Sequence, residues 1–297
     1  MKLKLDLDPR IPIIEVRNIQ NKHVELSMIG HKPIIVKKGL EFDHYKEYLP
    51  TDDARLIDWK ASLRSGRLQV RVFQEDKSLA VLFLVDTSAS MVYGTVDKLK
   101  IEYAFELVSN LSFGILANND KVGLSLFNDQ VMKQVPPNDG MSFYGVIQET
   151  LLNYEYFGGM SNMVEPIFRV NEARKDVNIV VIVSDFINID QEFTKYLAAI
   201  PTSMDIVGIM ISDPTDLSIP PDLGMVSIKD PFTGELKNIN TWASAQDYIK
   251  KNKHRLNVIE QAFGQVDGSF LKLLTSEKFD DKVMDFFGER SHGGGLR

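Results

Sequence analysis

Two stretches of this chain leave no polar face. Ser78–Asp86 carries Leu79, Val81, Leu82, Phe83, Leu84 and Val85, and Ile179–Ser184 is apolar up to its last residue. A strand with one wet face alternates polar and apolar side chains. A run without alternation must be covered on both sides, as parallel strands between helices are. Each run leads into a carboxylate, Asp86 and Asp185. The chain is thereby restricted to a buried, mostly parallel sheet with acidic groups at the carboxyl ends of two strands.

The surrounding pattern agrees. Asp97–Asn118 repeats Leu99, Tyr103, Leu107, Leu111 and Ile115 at helical spacing. Val122–Phe127 reads as the next strand. Val131–Val135 reads as a short edge strand, stopped by Pro136-Pro137. Phe143–Leu152, Met163–Arg174 and Gln191–Ile200 read as helices and Ile206–Ile211 as a strand. Asp230-Pro-Phe-Thr-Gly-Glu is a turn signature that predicts a hairpin of Met225–Ile228 with Leu236–Ile239. A long helix over Trp242–Phe263, a strand over Phe270–Leu274 and a helix over Phe279–Phe287 complete the series. Strands alternating with helices predict a doubly wound α/β domain over residues 77–290. A smaller β-rich N-terminal domain is expected over 1–76, with strands at Ile11–Val16, Val24–Ile29 and Pro33–Val36. Residues 291–297, with three glycines, read as a disordered tail.

Composition narrows the function classes. The net charge is −7 over 297 residues, which argues against a general nucleic-acid binder. The charge is uneven, about +2 over residues 1–76 and about −9 over the rest. There is no cysteine, so disulfides, thiolate zinc sites and cysteine nucleophiles are excluded. No apolar run approaches the roughly 18 residues of a membrane span, and the N-terminus lacks the apolar core of a signal peptide. A cytoplasmic protein is the expectation.

The chemistry-bearing residues follow the apolar strands. Asp86-Thr87-Ser88-Ala89-Ser90 delivers one carboxylate and two hydroxyls at two-residue spacing. Gly158-Gly159-Met160-Ser161 is a glycine-bearing loop before a helix. In an open parallel sheet ligands bind beyond the carboxyl ends of the strands. Asp86, Ser88, Ser90, Ser161 and Asp185 are therefore expected to converge as five oxygen donors. Hard oxygen ligands of this kind suit Mg²⁺ or Mn²⁺. Neutral hydroxyls hold an ion without cancelling its charge, so an open coordination position would attract an Asp or Glu of a partner. The D-x-S-x-S pattern resembles the metal-ion-dependent adhesion site of von Willebrand factor A domains. That resemblance implies a sheet of von Willebrand A (Rossmann-like) type.

A wider resemblance covers about residues 25–290. Glu41-Phe42, then Tyr48-Leu-Pro-Thr-Asp-Asp-Ala-Arg-Leu-Ile-Asp-Trp59-Lys-Ala-Ser-Leu-Arg64, then Leu68-Gln-Val-Arg71-Val-Phe73 are similar to the prokaryotic family called domain of unknown function 58. Asp213-Pro214, Pro220 to Gly224, Asp230 to Glu235 and Phe286-Phe287 to Arg290 extend the match. The chain departs from the family pattern at Thr51, where the family has Gly, at Leu63, and at Ser161, where Thr is usual. The resemblance implies a von Willebrand A-like companion of a MoxR-type AAA+ ATPase, acting as adaptor or assembly factor with an unknown client.

Asp52, Asp53, Arg55, Asp58, Trp59 and Arg64 crowd into one segment. One reading is an ion-pair network that fastens the N-terminal strands to the following domain, with Trp59 as its apolar plug. A second is a partner-facing surface. A third is a metal-dependent hydrolase or nuclease using Asp58 and Lys60 in D-x-K form. Other enzyme classes lack their signatures. A haloacid-dehalogenase-type phosphatase needs a second Asp where Ser88 stands. There is no Walker loop, G-x-S-x-G or H-E-x-x-H, and the five histidines have no ligand spacing. A scaffold with an unoccupied metal site remains a further alternative. A non-enzymatic binding module is the leading expectation.

Overall fold

The computed structural model describes residues 41–49, 52–74, 78–172, 176–189 and 192–293. The strands expected at Ile11–Val16, Val24–Ile29 and Pro33–Val36, the position of Thr51, and residues 294–297 lie outside them. The chain divides into two units, one of them Ile34–Ser78 and the other including everything from Leu79 onward.

In the smaller unit, β1 (Glu41–Glu47) pairs antiparallel with β2 (Gln69–Gln74), and α1 (Trp59–Ser65) lies between them in sequence. Asp58 starts α1 as its N-cap, accepting from the Lys60 and Ala61 N–H groups, and Gly66 ends it in the left-handed conformation that glycine adopts without a Cβ penalty. Trp59 is 65% exposed and Leu63 86%. The N-terminal strands that Trp59 was expected to fasten lie outside the described residues. Trp59 occupies the first position of a short helix whose buried side is carried by Ser62.

The larger unit is built on a six-stranded sheet of order β10-β7-β6-β3-β4-β5. Its members are β3 (Ala80–Asp86), β4 (Lys121–Phe127), β5 (Val131–Asn138), β6 (Ile179–Ser184), β7 (Asp205–Ser212) and β10 (Ser269–Leu274). All pairings are parallel except β4 with β5. β3 and β6 are buried at every position, as their lack of alternation demands. Helices cover both faces. Alternate residues of β3, Val81, Phe83 and Val85, pack with α2 (Lys100–Ala117), α3 (Phe143–Leu151) and α8 (Asp280–Gly293). Leu82 and Leu84 on the other face pack with α4 (Val164–Glu172), α5 (Phe193–Ala198) and α7 (Thr241–Gln265). A four-residue helix, α6 (Pro214–Leu217), follows β7. The hairpin expected after it is present as β8 (Met225–Lys229) and β9 (Leu236–Asn240).

Two expectations are corrected. β5 is not stopped by Pro136-Pro137 but continues through them to Asn138. The register puts both prolines opposite Gly123 alone, a bulge on an edge strand, where missing N–H groups are tolerated. Gly123 has no Cβ to collide with the Pro137 ring, whose Cγ lies 2.9 Å from where a Cβ would stand. The tail expected from 291 is helical as far as Gly293, the helix continuing through Gly288.

Gly208 of β7 faces the ring of Phe263 from α7, and a Cβ there would overlap the ring. Phe263 is itself held among Phe186, Phe193 and Phe270. Gly208→Ala should therefore destabilise the protein by about 1–3 kcal/mol. A lower urea midpoint at unchanged slope is the expected readout; an unmoved midpoint would show that α7 can retreat from the sheet.

Candidate metal centre

β3 sits where strand order reverses, with β4 on one side and β6 on the other. The crevice beyond the carboxyl ends of β3 and β6 is the place such a sheet offers a ligand. Asp86 ends β3 and is fully buried. Its Oδ1 accepts the Ser88 N–H at 2.9 Å. Its Oδ2 accepts the Ser161 hydroxyl at 2.9 Å and the Ser184 hydroxyl at 2.7 Å. The Ser88 hydroxyl also bonds Asp86, and it lies 3.2 Å from the Ser90 hydroxyl.

The loop carrying Ser161 is fastened to the loop carrying Ser88. Gly158 N–H donates to the Thr87 carbonyl at 2.8 Å, and Ala89 N–H to the Gly159 carbonyl at 3.0 Å. Gly158 and Gly159 have φ of 102° and 81°, conformations open to glycine, and the Asn128 amide donates to the Gly158 carbonyl at 2.9 Å. Thr87 turns inward and donates its hydroxyl to the Phe127 and Tyr156 carbonyls at 3.0 and 2.6 Å.

Asp185 follows β6 and is also buried. Its Oδ1 accepts the Ile187 N–H at 3.1 Å, and its Oδ2 accepts from the Lys100 ammonium at 2.7 Å. The next residue, Phe186, has φ of 50°, a conformation rare for a bulky side chain. It is retained because the ring is wedged among Phe193, Phe263 and Phe270, while its N–H donates to the Ser184 hydroxyl at 3.0 Å.

Burial pushes the Asp86 carboxyl up to about 6, and the negative charge of Asp185 adds to the shift, against the hydrogen bonds from Ser184 and Ser88. Lys100 behaves otherwise. Burial alone would lower it, but Asp185 and Asp216 outweigh burial and hold the ammonium above its ordinary value. Asp213, at the end of β7, is held below the usual carboxylate range in spite of burial, by Thr95 and Thr215. The Thr95 N–H and hydroxyl donate to Asp213 at 2.7 and 2.5 Å, which ties the loop before α2 to the end of β7.

Asp86, Ser88, Ser90 and Ser161 thus form one hydrogen-bonded cluster, and Asp185 is close enough for its charge to act on Asp86. Among the described residues no three His, Cys, Asp or Glu side chains are grouped to hold a metal ion. The candidate set is of another composition, two carboxylates with hydroxyl oxygens. It fits a hard divalent cation: Asp86 is a buried carboxylate whose partners above are all neutral donors, and the adjoining oxygens are hard ligands. Sequence reasoning missed Ser184, Lys100 and Asp216. Lys100 carried a signal, since it stands three and seven residues before Tyr103 and Leu107 on the apolar stripe of its helix.

The acidic–basic segment of the smaller unit is engaged locally. Asp52 pairs with Lys46 at 2.6 Å and accepts the Leu49 N–H; the Lys46 bond lowers its carboxyl. Asp53 pairs with Arg55 at 2.7 Å, and that bond lowers its carboxyl to about 2. Asp58 accepts the Tyr45 hydroxyl at 3.0 Å besides capping α1. Arg64 and Lys60 are exposed, and with Tyr45, Asp58, Ala61, Ser65 and Gln69 they line a cavity of about 350 Å³. Among the described residues, no helix is long and apolar enough to cross a membrane.

A model of the family described as "Protein of unknown function DUF58" matches residues 44–257. The chain is 24% identical over 267 residues to "Uncharacterized protein Rv1480" of Mycobacterium tuberculosis (strain ATCC 25618 / H37Rv), and equally to "Uncharacterized protein Mb1516" of Mycobacterium bovis. In both cases the match covers 89% of this chain and 83% of the relative. Among solved structures it is similar to the conserved hypothetical protein BatB from Bacteroides thetaiotaomicron, at 16% identity and a TM-score of 0.47, covering 72% of this chain and 100% of that one. An aerotolerance-related membrane protein from Bacteroides fragilis NCTC 9343 is similar at 18% identity and a TM-score of 0.48, covering 71% and 100%.

The sign of the Asp86 shift gives a test. Folded Asp86 keeps its proton to a higher pH than the unfolded chain does. Its contribution to stability is therefore full below the ordinary value of 3.8 and is lost as pH rises through about 6. In chelator at pH 8, Asp86→Asn should melt several degrees above wild type, and the gap should close near pH 4. Equal melting at pH 8 would mean that the carboxylate carries no such penalty.

Proposed function

The chain belongs to the DUF58 family, and on that premise we propose that its larger unit is a von Willebrand A-type binding module. Asp86, Ser88, Ser90, Ser161 and Asp185 would hold one Mg²⁺ or Mn²⁺, some of them through water. The observation that carries this reading is the buried Asp86 carboxylate, joined to the Ser161 hydroxyl of one loop, the Ser184 hydroxyl that ends β6 and the Ser88 N–H of its own loop, at the carboxyl end of the sheet. When bound, such an ion supplies an electrophilic docking point for an external carboxylate.

The residues do the rest. Asp86 gives the site its negative charge. Ser88, Ser90 and Ser161 contribute oxygen without further charge, so the ion stays under-neutralised and selects an Asp or Glu side chain from a partner protein. The Gly158-Gly159 turn fixes the Ser161 loop against Thr87 and Ala89, so the donors are arranged before the ion arrives. The partner would be a MoxR-type AAA+ ATPase, a client delivered to it, or both, with the protein acting as an adaptor in the cytoplasm rather than as an enzyme. This part of the reading rests on the family resemblance carried by the segment from Tyr48 to Arg64. In that segment Asp53, Arg55, Trp59 and Arg64 are exposed and form a second surface for such a partner.

A ligand that binds the folded state alone must stabilise it. At a concentration of Mg²⁺ a hundredfold above its dissociation constant the gain is about 2.7 kcal/mol. Mg²⁺ or Mn²⁺ should raise the wild-type melting temperature by several degrees and leave Asp86→Ala unmoved. A purified MoxR-type ATPase from the same organism should be retained by wild type in Mg²⁺ and released by EDTA. Retention that survives both EDTA and Asp86→Ala would refute metal-bridged docking.

A further inference from the structure

Lys100 lies outside the ligand set named above, and the inference drawn from it rests on that reading. It stands in the first turn of α2, is 1% exposed, and reaches Asp185 Oδ2 at 2.7 Å and Asp216 Oδ2 at 2.9 Å. The same Asp216 oxygen accepts the Asp213 N–H at 2.9 Å. The Tyr93 ring centre lies 5.9 Å from the ammonium. The three groups make a fixed buried triad, one cation between two carboxylates. Asp86 differs: the donors it meets, from Ser88, Ser161 and Ser184, are neutral.

We propose that Lys100 is a positioning and charge-setting residue for the metal site. It orients Asp185 and removes one unit of negative charge from the Asp185–Asp216 pair that a divalent cation meets beside Asp86. The cation is then held less tightly but keeps more of its positive charge for an external acid. The two effects are opposite in sign. Coulomb attraction to the ion grows when Lys100 is removed, while the ion's attraction for a further carboxylate falls. A lysine with a merely structural role would weaken both or change neither.

Mn²⁺ and acetate separate these cases. Free Mn²⁺ measured by electron paramagnetic resonance gives the metal affinity, and water-proton relaxation of bound Mn²⁺ gives the acetate affinity. In Lys100→Met, Mn²⁺ should bind about tenfold tighter and acetate about tenfold weaker. Asp216→Asn keeps an acceptor for Lys100 and for the Asp213 N–H but removes a charge, so it should shift both constants the other way. Lys100→Arg should stay near wild type. If Lys100→Met does not fold, Asp216→Asn and Lys100→Arg carry the test. Unchanged constants in the charge-altering variants, or a parallel loss of both, would overturn the role of Lys100. Wild type that fails to bind Mn²⁺ would instead overturn the metal site itself, and this inference with it.

Discussion

Asp86 ends an otherwise apolar strand in the middle of the sheet, and its carboxylate has no exposure. Removing such a group from water is unfavourable unless donors replace the water. The surrounding chain is arranged to provide them. Ser184 reaches across from the neighbouring strand, Ser161 from a loop 75 residues away in sequence, and Ser88 from the turn that follows. Three segments are thereby fixed to one point. Two of these donors, Ser161 and Ser184, are hydroxyls, which can also turn to offer lone pairs, whereas the Ser88 N–H can only donate.

The second buried carboxylate is treated in another way. Asp185 has a lysine for a partner, and that lysine is shared with Asp216. Breaking such a pair from one side typically costs 3–5 kcal/mol. The crevice therefore contains one carboxylate paired with a buried lysine and one surrounded by dipoles. Asp185 nevertheless acts on Asp86 through space, and its negative charge helps to raise the Asp86 carboxyl.

The strands were legible because β3 and β6 lack alternation, and the helices because their apolar residues recur at helical spacing. Asp86, Ser88, Ser90 and Ser161 were legible as a cluster because the loop after β3 spaces a carboxylate and two hydroxyls two residues apart, and a glycine-bearing loop before α4 carries a further hydroxyl. Lys100 was not. A lysine at the head of an apolar stripe looks like a solvated end residue until its two acidic partners, 85 and 116 residues away, are placed beside it. Ser184 was hidden as the last residue of a buried run, where a serine can simply satisfy itself on the backbone. The exposure of Trp59 was not legible either, because aromatic character alone does not say which side of a seven-residue helix faces in.

Pro136 and Pro137 bear on assembly. One flank of the six-stranded sheet ends in β5, where two adjacent residues have no amide hydrogen and the backbone is bulged. An incoming chain could not zip along that margin in regular register. The β5 margin is thereby protected against growth of the sheet by strand addition.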